Sequence, residues 1–301
     1  MSFDPKSVSL RFRSLPAWGL EIWRFIGTEV HLCGRFIRGD LWVTLVPAAL
    51  WMGTLALRHG VRAEAALVNL VLGTVYFGLF IYPFCLSNQW VGIAEDRINK
   101  PDRPLVRGDV TPAGALRRYG VYSAGFLVLG AALGVFPWAV MWVGVTFLHN
   151  FTALGHHWAF KSGLLMGVGG VAQLMAGAGI MLGEGAPEAL GGSLVVAVWV
   201  TLGAAVQDFR DLEGDRSLGR KTLPLVLGEA RARRCIAVVF GLLALASAFY
   251  WPGVGPGFAL GNLVLAYRLL RFRSRKADAR TYRIFAGLYC GLVLIVGLGG
   301  S

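Results

Sequence analysis

The sequence predicts an all-α, polytopic membrane protein with nine transmembrane helices. Three observations carry that prediction. The 301 residues are 55% hydrophobic and only 15% charged, with a mean hydropathy of +0.59, far more apolar than an ordinary soluble domain. Apolar runs recur at roughly the 17–25 residues needed to cross the hydrocarbon of a bilayer. Lys and Arg fall on alternate loops, the asymmetry that orients membrane proteins.

The chain divides into residues 1–33, a cytoplasmic N-terminal segment, and 34–301, a single transmembrane domain, because no polar linker separates two halves. Trp18, Ile22, Phe25 and Ile26 share a helical face, so an interfacial amphipathic helix is expected there. The first dozen residues are polar and lack a signal-peptide pattern. The spans are read at about 34–57, 65–95, 113–135, 138–158, 163–182, 190–212, 232–251, 255–271 and 281–299. Gly and Pro punctuate them at Phe136-Pro137, Gly183 to Pro187 and Pro252 to Pro256. The 41 glycines suit helices that approach closely in lipid.

The net charge of +12 raises the question of nucleic acid, but the distribution of charge excludes it. Given these spans, Lys and Arg lie before the first or in the loops after the second, fourth, sixth and eighth. Only Arg58 and Arg62 lie opposite, while Glu184 and Glu188 sit in a loop with no Lys or Arg. The N-terminus and the basic loops are therefore expected in the cytoplasm. The run Arg271 to Arg283 reads as a topology signal that meets anionic lipid head groups. Cys33, Cys85, Cys235 and Cys290 are scattered, with no CxxC pair, so neither a disulfide framework nor a zinc site is supported. No protein partner is implied.

Two acidic clusters end two of the apolar runs on that same side. The first lies in SNQWVGIAEDRINKPDRP, Ser87 to Pro104. At 100° per residue, Asn88, Glu95 and Asn99 line one helical face, with Asp96 on its shoulder. Pro101 and Pro104 then stop the helix. The second is QDFRDLEGDRSLGRKTLP, Gln207 to Pro224. Asp208, Asp211 and Asp215 converge on one face there, and Glu213 points away. A carboxylate at the centre of a membrane costs about 2.5–3.5 kcal/mol on the lenient scale, and less near an end. Two acids 4 Å apart repel by about 4 kcal/mol at an effective dielectric of 20. Cations relieve both costs. Hard carboxylate oxygens suit Mg²⁺, which binds through a few carboxylates and substrate phosphates. The adjacent Arg and Lys then meet the phosphate oxygens left uncovered.

These motifs resemble the UbiA superfamily of intramembrane prenyltransferases. The resemblance implies nine helices around a central cavity and two Asp-rich motifs that bind Mg²⁺, two or three ions, and the diphosphate of a prenyl donor. The family's second motif, DxxDxxxD, stands as Asp208, Asp211 and Asp215. Its first, NDxxDxxxD with a following NxxxRP, is matched by Asn88, Asp96, Asn99, Arg103 and Pro104. His157 and Lys161 occupy the spacing of a Tyr-xxx-Lys element, with His in place of Tyr. Gln89 replaces an Asp, Gly92 replaces the middle Asp, and Glu95 appears beside Asp96. That NQxxxxxED form resembles the terpene cyclase branch.

The implied metal ligands and catalytic residues are Asn88, Glu95, Asp96, Asp208, Asp211 and Asp215. The implied diphosphate-binding residues are Gln89, Asn99, Arg103, Lys161, Arg220 and Lys221. Three functions stay open. A terpene cyclase, with farnesyl diphosphate favoured on family habit, needs no acceptor. A prenyltransferase needs an aromatic or quinone-precursor acceptor. A non-catalytic membrane protein or transporter tolerates loss of Asp96 and Asp208. Tyr76, Phe77, Phe80, Tyr82, Phe84, Trp90, Phe147, Phe151 and Trp158 are candidates to face an allylic cation. His156 and His157 are candidate bases.

Overall fold

The computed structural model describes residues 17–217 and 219–299. Helix α1 (Ala17–Ile37) leads into a turn and then α2 (Leu45–Arg58) and α3 (Ala63–Val91). Short helices α4 (Ile93–Asn99) and α5 (Pro104–Arg107) follow, then α6 (Pro112–Ala132) and α7 (Phe136–Phe151). The chain continues through α8 (Leu165–Leu182), α9 (Leu190–Gly203), α10 (Leu212–Ser217) and α11 (Leu223–Leu227). It ends with α12 (Glu229–Tyr250), α13 (Gly255–Arg271) and α14 (Arg275–Gly297).

Five helical stretches among the described residues are long and apolar enough to cross a membrane: 41–58, 63–91, 159–209, 229–250 and 275–297. The expectation of nine such crossings is corrected by this count. The stretch 159–209 contains both α8 and α9, which are joined by a 3-10 segment. Helices α7 and α13 have only 16 and 17 residues, and α6 carries Arg117 and Arg118 near its start. The first crossing begins at 41 rather than 34, because Arg38 to Asp40 form a turn and Cys33 to Ile37 belong to α1.

Helix α1 exposes Trp18, Ile22, Trp23, Phe25, Ile26 and Val30. Its buried Glu29 is bound by Arg118, and the Tyr122 hydroxyl donates to Glu29 at 3.0 Å. That acid docks α1 on α6. The part of the N-terminal segment before residue 17 lies outside the described residues.

Inside the bundle, indole and amide donors tie helices to one another. Trp51 Nε1 donates to the Leu174 carbonyl at 2.9 Å, Gln173 Nε2 to Thr44 at 2.8 Å and Trp142 Nε1 to Phe80 at 2.5 Å. Each satisfies a buried donor where water is scarce. Helices α7 and α8 approach closely, and a Cβ at Gly169 would lie 2.5 Å from the Trp142 ring. Gly at 169 lets Trp142 lie flat over Phe80, with centroids 4.0 Å apart and planes at 7°.

Candidate active site

Both acidic clusters face one cavity of about 170 Å³. Helix α3 ends at Val91, and Gly92 separates it from α4, which carries Glu95 and Asp96. The second cluster follows α9. A 3-10 turn over Ala204–Phe209 presents Asp208, a turn presents Asp211, and α10 presents Asp215. Burial is nearly complete at Glu95, Asp96, Asp208 and Asp215.

Bases neutralise these acids both within each motif and across the gap between them. Arg103 Nη1 binds both Asp96 oxygens, at 2.9 and 2.7 Å. Lys100 Nζ lies 3.1 Å from Asp211 Oδ2. Arg220 Nη1 reaches Glu95 Oε2 at 2.5 Å and Asp215 Oδ1 at 3.4 Å, and so joins the two motifs. Lys161 Nζ lies 3.9 Å from the same Asp215 oxygen. Among the described residues Asp208 has no base within 4 Å; it accepts from the Ser162 hydroxyl at 2.9 Å.

Local backbone explains why these bases arrive. Gly219, at φ +64°, reverses the chain after α10, and the Arg220 N–H donates to the Asp215 carbonyl at 3.0 Å. The left-handed conformation there suits glycine. The Trp158 N–H donates to Lys221 O at 3.0 Å and the Lys221 N–H to His156 O at 3.2 Å. That pairing holds the π-helical turn Ala159–Leu164, and with it Lys161, against the second motif. A second contact between motifs is tighter. The Asn99 amide donates to the Asp211 carbonyl at 3.1 Å, and a Cβ at Gly214 would lie 2.2 Å from Asn99 Nδ2.

Electrostatics follow from this burial. Burial raises the Asp96 carboxyl above the usual carboxylate range, although Arg103 opposes it. Burial likewise raises Asp215, against Lys161. Burial also pushes Asp211 up, but Lys100 and Arg210 outweigh it and hold that carboxyl down. Lys100 is lowered by burial, against the pull of Asp211.

The predicted site residues divide by position. Asn88, Glu95, Asp96, Asp208 and Asp211 line the cavity, with Arg103, Lys161 and Arg220 beside them. Asp215 and Asn99 stand just behind, bonded to that set. Two placements depart from expectation. Gln89 is buried and its amide donates to the Phe36 carbonyl at 3.4 Å, toward α1. The Lys221 side chain is exposed, and only its backbone joins the site. His156 and His157 are exposed as well. Of the aromatic candidates, Phe80 and Phe84 line the cavity, while Tyr76, Phe77 and Tyr82 pack in the core.

Residues that sequence reasoning missed complete the walls. Trp142, Tyr282, Phe285 and Tyr289 line the cavity, as do His149, Asp40 and Arg210. His149 Nδ1 lies 2.8 Å from Asn150 Oδ1, which also accepts from the Asn88 amide at 3.1 Å. Arg210 sits 3.8 Å over the Tyr282 ring. The HN pair at 149–150, just before the loop of Lys161, was the available signal.

Among the described residues no three His, Cys, Asp or Glu side chains converge as a ready-made metal site. The donors still suit a hard cation that keeps waters and shares substrate phosphates. Asp215 Oδ2 is buried with no hydrogen-bond partner, and the carboxylates of both motifs stand around one space.

Comparison with known proteins settles the family. The UbiA prenyltransferase family matches residues 41–289. The chain belongs to that family. It is 36% identical over 278 residues to somaliensene A/B synthase of Streptomyces somaliensis, covering 89% of this chain and 92% of that protein. It is 31% identical to a diterpene cyclase of Hericium erinaceus, covering 93% and 92%, and 33% identical to a polyprenyl transferase of the same organism, covering 72% and 76%. A UbiA homologue from Archaeoglobus fulgidus, solved bound to GPP and Mg²⁺, superposes with a TM-score of 0.64 at 18% identity, covering 88% of this chain and 99% of that one. That likeness establishes the all-α, polytopic UbiA-like membrane fold.

Proposed function

We propose that the chain is an intramembrane enzyme that ionises a linear prenyl diphosphate with Mg²⁺ and cyclises the allylic cation. One observation carries the proposal: two acidic motifs, five bases and a wall of aromatic rings face a single cavity.

Asn88, Glu95, Asp96, Asp208, Asp211 and Asp215 are the residues that would hold the metal, two or three ions. Bound Mg²⁺ supplies Lewis-acid stabilisation of the charge developing on the leaving oxygen. Arg103, Lys161 and Arg220 already neutralise carboxylates in the cavity, so their remaining N–H donors are placed for diphosphate oxygens. Ser162 orients Asp208, and Asn99 fixes the spacing between motifs. Phe80, Phe84, Trp142, Tyr282, Phe285 and Tyr289 line the remaining wall. Such faces stabilise a desolvated cation by about 2 kcal/mol, and they exclude the water that would capture it.

Farnesyl diphosphate is the proposed donor, and the active-site loops and N-terminus are proposed to lie in the cytoplasm, from the loop charges.

A second reading is transfer of the prenyl chain to an aromatic or quinone-precursor acceptor. The family description, the polyprenyl transferase and several digeranylgeranylglyceryl phosphate synthases at 29–34% identity support transfer, though the synthases are named for a glyceryl phosphate rather than an aromatic product; more of the relatives support transfer than support cyclisation. The synthase and the diterpene cyclase that align over about nine-tenths of the chain support cyclisation. Both share the ionisation step. Geranyl, farnesyl and geranylgeranyl diphosphate, each supplied with Mg²⁺ and no acceptor, separate them by gas chromatography–mass spectrometry. A cyclic product that vanishes with EDTA supports cyclisation. Turnover that begins only when an aromatic acceptor is added overturns it in favour of transfer.

A further inference from the structure

We propose that Trp199 and Phe285 form a floor that sets how long an isoprenoid chain the cavity accepts. A second, apolar chamber behind them takes the distal units of a longer chain when the floor is removed. This inference rests on the reading that the donor is a prenyl diphosphate.

The chamber measures about 400 Å³ and opens to the outer face of the bundle, where Leu194, Val195, Val198 and Tyr250 are exposed; the cavity at the acidic motifs measures about 170 Å³. It lies between α9, α12, α13 and α14, and two of those helices line both spaces. On α9, Val200 faces the first cavity, as does Ala204 in the turn that follows, while Trp199, Val198 and Val195 face the second. On α14, Tyr282, Phe285 and Tyr289 face the first, and Leu292, one turn on, faces the second. Trp199 and Phe285 stack between them, centroids 4.6 Å apart and planes at 8°. The wall is one pair of rings thick.

The pair is held in place. Trp199 Nε1 donates to Asn262 Oδ1 at 3.0 Å, and Asn262 Nδ2 donates to the Phe258 carbonyl at 2.9 Å. Asn262 is fully buried on α13. An amide in such a place is costly unless bonded, and its side-chain partner is this indole. A Cβ at Gly203 would lie 2.7 Å from Phe285, so glycine there admits the ring.

The lining says what the chamber takes. The Ser247 hydroxyl is spent on the carbonyls of Leu243 and Ala244. Apart from the buried Trp251 Nε1, which has no partner, and the hydroxyl of the exposed Tyr250, the rest is hydrocarbon and ring. There is no charge to receive a head group, so the fitting ligand is an apolar isoprenoid tail. Continuity with the first cavity through one ring pair makes the tail of the donor that ligand, ahead of a bilayer lipid.

The test measures dissociation constants on the full chain in detergent with Mg²⁺. The ligands are non-ionisable thiolodiphosphate analogues with geranyl, farnesyl, geranylgeranyl and geranylfarnesyl chains. Trp199→Ala is expected to favour geranylfarnesyl over farnesyl at least tenfold more than the unaltered chain does. Asn262→Leu, which keeps the ring and removes its tether, moves preference the same way by a smaller factor and serves if Trp199→Ala fails to fold. Adding Val195→Trp to Trp199→Ala, which refills the chamber, restores the original preference. An unchanged order of affinities in both Trp199→Ala and Asn262→Leu overturns the inference. A gain that survives Val195→Trp also overturns it, and assigns the chamber to bilayer lipid. Turnover of the matching diphosphates is scored separately: analogues that bind while no diphosphate is ionised sink the proposed function and leave the chain-length result standing.

Discussion

Arg220 is the charge that bridges the two motifs, and its removal has a calculable effect. Its Nη1 contacts Glu95 and Asp215 at 2.5 and 3.4 Å, so the two carboxylates face each other across one nitrogen. At a separation of about 6 Å and an effective dielectric of 20, two unit charges repel by about 3 kcal/mol. Breaking a buried ion pair by removing one partner typically costs about 3–5 kcal/mol, which is consistent with that figure. Lys161 still attends Asp215 but only at 3.9 Å, so it offsets little. Arg220→Met should therefore lower the apparent melting temperature in EDTA. The freed carboxylates then bind Mg²⁺ in place of the guanidinium, and a ligand that binds only the folded state stabilises it. Added Mg²⁺ should raise the melting temperature of Arg220→Met by more than it raises that of the unaltered chain, while the KM for diphosphate donor rises. Intrinsic fluorescence melts in detergent, with and without Mg²⁺, read this directly. An equal or smaller Mg²⁺ effect in the variant refutes the reasoning, because Arg220 would then not be competing for the metal-binding oxygens.

Other predictions test the same geometry. Burial raises the carboxyls of Asp96 and Asp215, so protons compete with metal at higher pH than for ordinary carboxylates. The Mg²⁺ half-saturation concentration should rise as pH falls through that raised range, and a constant value down to pH ~4 contradicts the account. Gly214→Ala places a methyl 2.2 Å from Asn99 Nδ2. Overpacking of this kind costs about 1–3 kcal/mol, and parting the motifs should weaken Mg²⁺ binding, measured by titration, while Ser217→Ala in the same helix should not. Arg233→Leu leaves Asp278, only 2% exposed, without its bidentate partner. The expected loss is about 3–5 kcal/mol, partly recovered when Asp278→Leu is added, by thermal melts of the single and double variants.

Much of the fold was legible because lipid makes strong demands on sequence. Apolar runs mark α3, α8, α9, α12 and α14 because every backbone group in hydrocarbon must bond within its own segment. The number of crossings was harder to read, since α7 and α13 are short and α6 opens with paired arginines. The acidic motifs were legible because carboxylates at the ends of apolar helices need a reason to be there. Fine placement was not. The family motif treats Gln89 and Asn88 alike as site residues, yet their side chains depart in different directions, one to Phe36 and one to Asn150, as neighbours 100° apart on a helix do. The chain also changes pitch at Gly92, at the 3-10 turn 204–209 and at the π turn 159–164, so angles computed at 100° per residue drift there. Lys221 looked like a partner of Arg220, but the pairing of its backbone with His156 and Trp158 sends the side chain outward. The aromatic wall was least legible. Trp142, Tyr282, Phe285 and Tyr289 come from helices with no motif, and only tertiary packing brings them opposite Phe80 and Phe84.

The most direct test of the central claim is release of inorganic diphosphate from a prenyl donor by the purified chain, followed over time with Mg²⁺ and with EDTA, beside Asp208→Ala. Asp208 accepts from the Ser162 hydroxyl, and among the described residues no base lies within 4 Å of it, so its loss breaks no close ion pair there. The account predicts release that requires Mg²⁺ and falls at least about 10²-fold in the variant, the several kcal/mol that a metal supplies to a leaving oxygen. Release that proceeds equally in EDTA, or at an unchanged rate in Asp208→Ala, contradicts it.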